Sequence, residues 1–160
     1  MAEMENLAKF YVILVEPKYG GNVGAVTRVM MNFGFDKLYL VNPCELDDEC
    51  YARSVHAHNI LESAKIFSSF KEAVKNMDYL AATSSIQYKK DKKHLRKPIL
   101  IEDFAKKIFE LEGKIGLVFG REDYGLYNKE IAACDVMLRI PTSESYLSLN
   151  LSHAVSIVLY

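Results

Sequence analysis

The sequence predicts an α/β domain in which helices cover both faces of a parallel sheet. Two observations predict it. Short runs rich in Val, Ile, Leu and Tyr recur along the chain, and helical periodicity fills the intervals between them. Each run also stops at a proline, glycine or polar turn, which is how a buried parallel strand reads before its crossover helix. The chain has 160 residues with 50% apolar content, enough for one core, and shows no linker or internal repeat. A single domain over residues 1–160 is therefore expected.

The elements follow in order. Phe10–Val15 is a strand closed by Glu16-Pro17. Gly20-Gly21-Asn22 reads as a turn with Asn22 as helix N-cap, and Val23, Val26, Val29, Met30 and Phe33 recur at helical spacing up to Gly34. Lys37–Val41 is the second strand, and helices are expected over Cys50–Ala57 and Phe70–Asn76. Asp78–Thr83 is a third strand. A helix from Ile101 to Leu111 carries Glu102 and Asp103 in its first turn and Gly113 beyond its end. Lys114–Phe119 is a buried strand, Asn128–Ala133 a short helix, and Val136–Ile140 the last strand. After Pro141 a polar loop opens a final helix from about Leu147, and the chain stops at Tyr160 within it.

Composition excludes several classes. No apolar run approaches the roughly 20 residues of a membrane span, and Met1-Ala-Glu-Met-Glu-Asn lacks the basic start and apolar core of a signal peptide. A cytoplasmic protein with no membrane partner is expected. Cys44, Cys50 and Cys134 form no CxxC pair, and Cys44, Cys50, His56 and His58 lack zinc-site spacing, so no metal is expected. Cys50, Ala57 and Ile60 read as an apolar face with the two histidines at its edge, and Cys134 as core.

The net charge of −1 is unevenly spread. From Ser84 to Lys97, Lys89, Lys90, Lys92, Lys93, Arg96 and Lys97 face only Asp91, so this segment carries +5 and the remainder about −6. Glu45, Asp47, Asp48 and Glu49 hold much of that acid. The basic run is either a solvated face or a contact for RNA phosphates, with Tyr88 and His94 placed to stack on bases. Composition does not choose between the two.

Ligands of open α/β sheets bind beyond the carboxyl ends of the strands, which directs attention to Glu16–Arg28, Gly120–Leu126 and Pro141–Asn150. Gly20-Gly21-Asn22-Val23-Gly24 lacks the spacing of a dinucleotide fingerprint, and the second strand ends in Asn42-Pro43 rather than an acid. The pattern that remains is Asn22-Val-Gly-Ala-Val-Thr-Arg28, Val118-Phe-Gly-Arg-Glu122 and Ser148-Leu-Asn-Leu151, in this order. It resembles the SpoU/TrmH class of SPOUT RNA methyltransferases, from about Phe10 to the last residue. Val15-Glu-Pro, Leu40-Val-Asn-Pro43, Ala82-Thr-Ser84 and the Gly-Arg-Glu form resemble its TrmJ branch.

The resemblance implies a C-terminal trefoil knot, a homodimer, and transfer of a methyl group from S-adenosyl-L-methionine to a ribose 2′-hydroxyl at nucleotide thirty-two of tRNA. Action on rRNA or another tRNA position, or a silent RNA-binding dimer, are the alternatives. It implies a cofactor pocket of Thr83, Phe119, Gly120, Ile140 and Leu149, of which Phe119 and Ile140 also read as ordinary core. Arg28, Asn22, Glu122, Ser148 and Asn150 are the implied catalytic residues. Arg28 is either the base or, since a guanidinium gives up its proton with difficulty, an electrostatic anchor. Asn22, Ser148 and Asn150 read equally as helix caps, Glu122 as a partner of Arg28, and Arg121 as a phosphate contact. Ser148, Ser152 and Ser156 form a small-residue stripe suited to packing across a dimer. Members of the TrmJ branch usually continue beyond the final helix into an extension that aids tRNA binding, whereas these 160 residues stop within that helix.

Overall fold

A computed structural model describes residues 9–84 and 98–160. Among these residues seven strands form one sheet, all parallel: β1 (Lys9–Val15), β2 (Leu38–Val41), β3 (Lys65–Phe67), β4 (Tyr79–Thr83), β5 (Pro98–Leu100), β6 (Lys114–Phe119) and β7 (Val136–Arg139), in the spatial order β3-β2-β1-β6-β4-β7-β5. The helices are α1 (Gly20–Phe33), α2 (Asp48–Ser54), α3 (His58–Ser63), α4 (Phe70–Val74), α5 (Ile101–Lys107), α6 (Asn128–Ala132) and α7 (Leu151–Leu159). None of them is long and apolar enough to cross a membrane.

Side chains alternate across each strand, and this splits the core in two. Val12 and Leu14 of β1 join Ile115, Leu117 and Phe119 of β6 beneath α1, α2, α3, α5 and α7. Tyr11, Ile13 and Val15 face the other way and meet Val118, Ala73 of α4, Ile131 of α6 and Cys134 just beyond it. Cys50, Ala57 and Ile60 are buried as expected, with His56 and His58 exposed.

The structure corrects several boundaries. Helix α1 begins at Gly20, not after Asn22, and its N-cap is Tyr19, which contributes no side-chain cap bond. Both glycines are inside the helix because α2 lies against them. A Cβ on Gly20 would strike the Asp47 carboxylate, and one on Gly24 the Cys50 carbonyl. The glycine cluster thus lets two helices touch, and Gly34 ends α1 in the left-handed conformation at φ 78°. Helix α2 starts earlier than expected because the Asp47 carboxylate accepts the Cys50 amide at 3.0 Å. Helix α5 tightens into a 3₁₀ turn at Ile108–Glu110. Helix α7 starts at Leu151 rather than Leu147, since Asn150 caps it by accepting the Ser152 amide at 3.0 Å. Elements α3, β3 and β5 are too short to show a period. The two strands are three-residue edges, and β5 begins with a proline, which an edge tolerates.

Candidate functional site

Strands β1, β6 and β7 deliver the three motif loops to one end of the sheet, and two adjoining cavities open there. The first, about 340 Å³, is lined by all five residues expected to hold the cofactor: Thr83, Phe119, Gly120, Ile140 and Leu149. Phe119 is fully buried and serves the core as well. The Thr83 hydroxyl donates to the Val118 carbonyl at 3.0 Å, tying the ends of β4 and β6 together. Gly120 has a reason different from ligand approach. A Cβ there would run into the backbone of Gly125 and Leu126, so glycine allows loop 120–126 to fold back on itself. Arg121 and Gly125 close that loop with reciprocal backbone bonds of 3.1 and 2.8 Å.

The second cavity, about 600 Å³, shares Glu122, Ser148, Leu149 and Leu151 with the first and is bounded further by Asn22, Asn150 and Tyr19. Four of the five expected catalytic residues therefore line the second cavity, and two of them, Glu122 and Ser148, stand where the cavities join. Glu122 accepts the Lys18 amide at 2.9 Å, the Tyr19 amide at 3.4 Å and the Asn22 side-chain amide at 3.1 Å. It anchors the two residues that lead into α1, Lys18 and the N-cap Tyr19, and the first-turn residue Asn22, from another part of the chain. The reason for a glutamate after Gly-Arg, which the sequence hides, is this long-range anchor. Asn150 donates to the Asn22 side-chain oxygen at 3.5 Å and so links α7 to α1. Ser148 lies before α7, exposed at the junction, and therefore caps nothing; of the serine stripe only Ser152 and Ser156 are helical.

Arg28 is the exception. It is exposed on α1 and lines neither cavity. It stands six positions after Asn22, which is about 9 Å along the axis and well round the helix. One subunit does not bring it to Glu122. The cations Lys89, Lys90, Lys92, Lys93, Arg96 and Lys97 lie outside the described residues.

Arg121 does not reach for phosphate. Its side chain is 6% exposed and is held by Glu16 and by Glu130, itself 4% exposed. It donates from Nε to Glu16 at 2.6 Å, from Nη1 and Nη2 to Glu130 at 3.0 and 2.8 Å, and its guanidinium lies 3.6 Å from the Tyr127 ring centre. Burial opposes the Arg121 cation, but the bonds from Glu130 and Glu16 outweigh it and raise its pKa. The same bond lowers the pKa of Glu16. Asp123 binds the Lys18 ammonium. Three successive residues, Arg121, Glu122 and Asp123, thus clasp the segment from Glu16 to Asn22. Sequence reasoning missed Glu16 and Lys18 as partners; the Val15-Glu-Pro sequence after a strand was the available signal.

Comparison with known proteins agrees with this geometry. Residues 9–160 match the SpoU rRNA Methylase family. The chain is 50% identical over 150 residues to the tRNA (cytidine-2′-O-)-methyltransferase TrmJ of Methanocaldococcus jannaschii, covering 93% of this chain and 65% of that protein. The structure is similar to that of a probable methylase family protein from Haemophilus influenzae, at TM-score 0.87 and 36% identity, covering 94% of this chain and 63% of the other. TrmJ from Z. mobilis gives TM-score 0.86 at 32% identity, covering 94% and 66%. The chain thus spans about two thirds of the relatives it matches.

Proposed function

Because this chain belongs to the SpoU rRNA methylase family, we propose that it methylates a ribose 2′-hydroxyl of tRNA with S-adenosylmethionine, at the pyrimidine of position 32 in the anticodon loop. The observation that carries this reading is the junction of the two cavities, where Glu122 and Ser148 border both. The first cavity fits the cofactor's chemistry. Phe119, Ile140 and Leu149 give apolar walls for an adenine, while Thr83 and the loop backbone supply polar edges. S-adenosylmethionine supplies an electrophilic methyl group carried on a sulfonium.

The protein then has to align two reactants and manage one proton. Asn22, Ser148 and Asn150 present amide and hydroxyl groups at the junction, where they orient the incoming ribose. Glu122 holds Asn22 and the first turn of α1 in place. Arg28 acts on a second subunit's cavity, where it stabilises the alkoxide that develops as the hydroxyl proton passes to solvent water. Exposed Met31 and Phe33 on α1 and Ile157 on α7 support a homodimer of this kind. The same reading takes the path from β7 to α7 as the family's trefoil knot. In its support, Thr142, Leu147 and Ser148 share a cavity with Thr83 and Phe119 at the ends of β4 and β6, and α7 packs on α1. Residues 1–160 are read as one catalytic domain working in the cytoplasm.

The test is incubation of unmodified tRNA transcripts with labelled S-adenosylmethionine and mapping of the 2′-O-methyl group. Label at nucleotide 32 supports the proposal. Label only in rRNA, at another tRNA position, or nowhere overturns it.

A further inference from the structure

Tyr19 and Tyr146 both line the second cavity, yet they are 63% and 78% exposed. One caps α1 and the other stands in the loop between β7 and α7, so the fold brings together two rings far apart in sequence. Among the described residues neither ring packs on another aromatic ring or on a cation, and neither hydroxyl makes a hydrogen bond. Large π-faces left bare beside polar groups are what an unstacked base requires, because every base offers a flat face.

The charge of the cavity narrows the ligand further. Its cation, Arg53, is held by Glu49 at 2.8 Å and is thereby neutralised. The remaining polar groups are the Glu122 carboxylate, already taken by the Lys18, Tyr19 and Asn22 N–H groups, and the uncharged Asn22, Ser148 and Asn150. This is a poor trap for a phosphate and a suitable seat for a neutral base with its ribose. We infer that Tyr19 and Tyr146 are the stacking surfaces for one unpaired nucleobase, whose ribose enters the junction of the cavities. The inference rests on the proposed function for its substrate class, RNA, and adds the part of the nucleotide that the second cavity recognises.

The test measures binding rather than methyl transfer. The probes are a fluorescein-labelled oligocytidylate of about eight nucleotides and the abasic ribose-phosphate chain of equal length, with anisotropy as readout. The unaltered protein is expected to prefer the oligocytidylate by between about five-fold and about a hundred-fold, the range of one stacked base. Tyr19→Ala and Tyr146→Ala should each shrink that preference, while Tyr19→Phe and Tyr146→Phe keep it. A role of Tyr19 only in starting α1 would lower both affinities equally, and Tyr146, outside any helix, checks that independently. No preference in the unaltered protein, or an undiminished preference in both alanine variants, overturns the inference. Base-dependent binding without methyl transfer to tRNA would instead overturn the proposed function and leave this inference standing.

Discussion

Arg121 borders the first cavity, but its guanidinium is bound on one side by Glu16 and on the other by Glu130. Replacing it with methionine leaves the buried Glu130 carboxylate without its cation, a loss of about 3–5 kcal/mol where a buried pair is broken. Arg121→Met should therefore show a much lower urea midpoint, and Arg121→Lys should recover little, since an ammonium lacks the fork that reaches both acids. The pH dependence has a definite sign. The bond from Arg121 lowers the pKa of Glu16 below its ordinary value of 4.5. The stability this contributes is present above that value and is lost as pH falls through the depressed one. Urea titrations from pH 7 down to pH 2 should show this loss in the unaltered protein and a smaller one in Arg121→Met. A different residue tests the chemistry: Arg28→Ala should abolish methyl transfer while calorimetry shows S-adenosylmethionine binding unchanged. Near-normal turnover would remove Arg28 from the reaction. The sequence singled out Asn22, Glu122, Ser148 and Asn150 by their motif, yet it hid what Glu122 binds, because contacts made from a hundred residues away leave no local pattern.

At the scale of elements, α1 shows how a local reading fails. Gly20-Gly21-Asn22 has the composition of a turn, and only the arrival of α2 makes it the first turn of a helix. Gly24→Ala should destabilise the protein by about 1–3 kcal/mol, the usual result of forcing a methyl group into packed surroundings. Gly34→Ala is the control. It meets no neighbouring atom within 4 Å and is disfavoured only by its φ of 78°. Thermal melts of the two variants should therefore differ, with Gly24→Ala the less stable. Strands β1, β2, β4, β6 and β7 were legible because each is an apolar run of four or more residues bounded by turn signals. The edges β3 and β5 were not, since three residues carry too little alternation to register. The start of α7 was misplaced by four residues because apolar Leu147 and Leu149 line the cavity rather than a helix face.

For the whole molecule, charge and assembly are the open properties. Neutralising Lys89, Lys90, Lys92 and Lys93 together should weaken tRNA binding and flatten its dependence on salt. An unchanged slope would make that run a solvated face. If Arg28 serves a partner's cavity, a mixture of Arg28→Ala and Gly120→Val proteins, each inactive alone, should regain part of the activity through heterodimers. Failure of mixed subunits to recover any activity would place Arg28 within its own subunit's site. The order of the strands has a further bearing, on the route by which the chain folds. The interior strand β1 has the central strand β6 as a neighbour, with Lys9 beside Lys114 and Leu14 beside Phe119. Most of the chain must therefore be looped out before the middle of the sheet can close, and pairings so distant are slow to form. Refolding followed by stopped-flow fluorescence should accordingly be far slower than for a helical bundle of this size. Until β6 arrives, β1 has a bare apolar edge, which makes the early, half-built sheet the stage at which this protein is most exposed to aggregation.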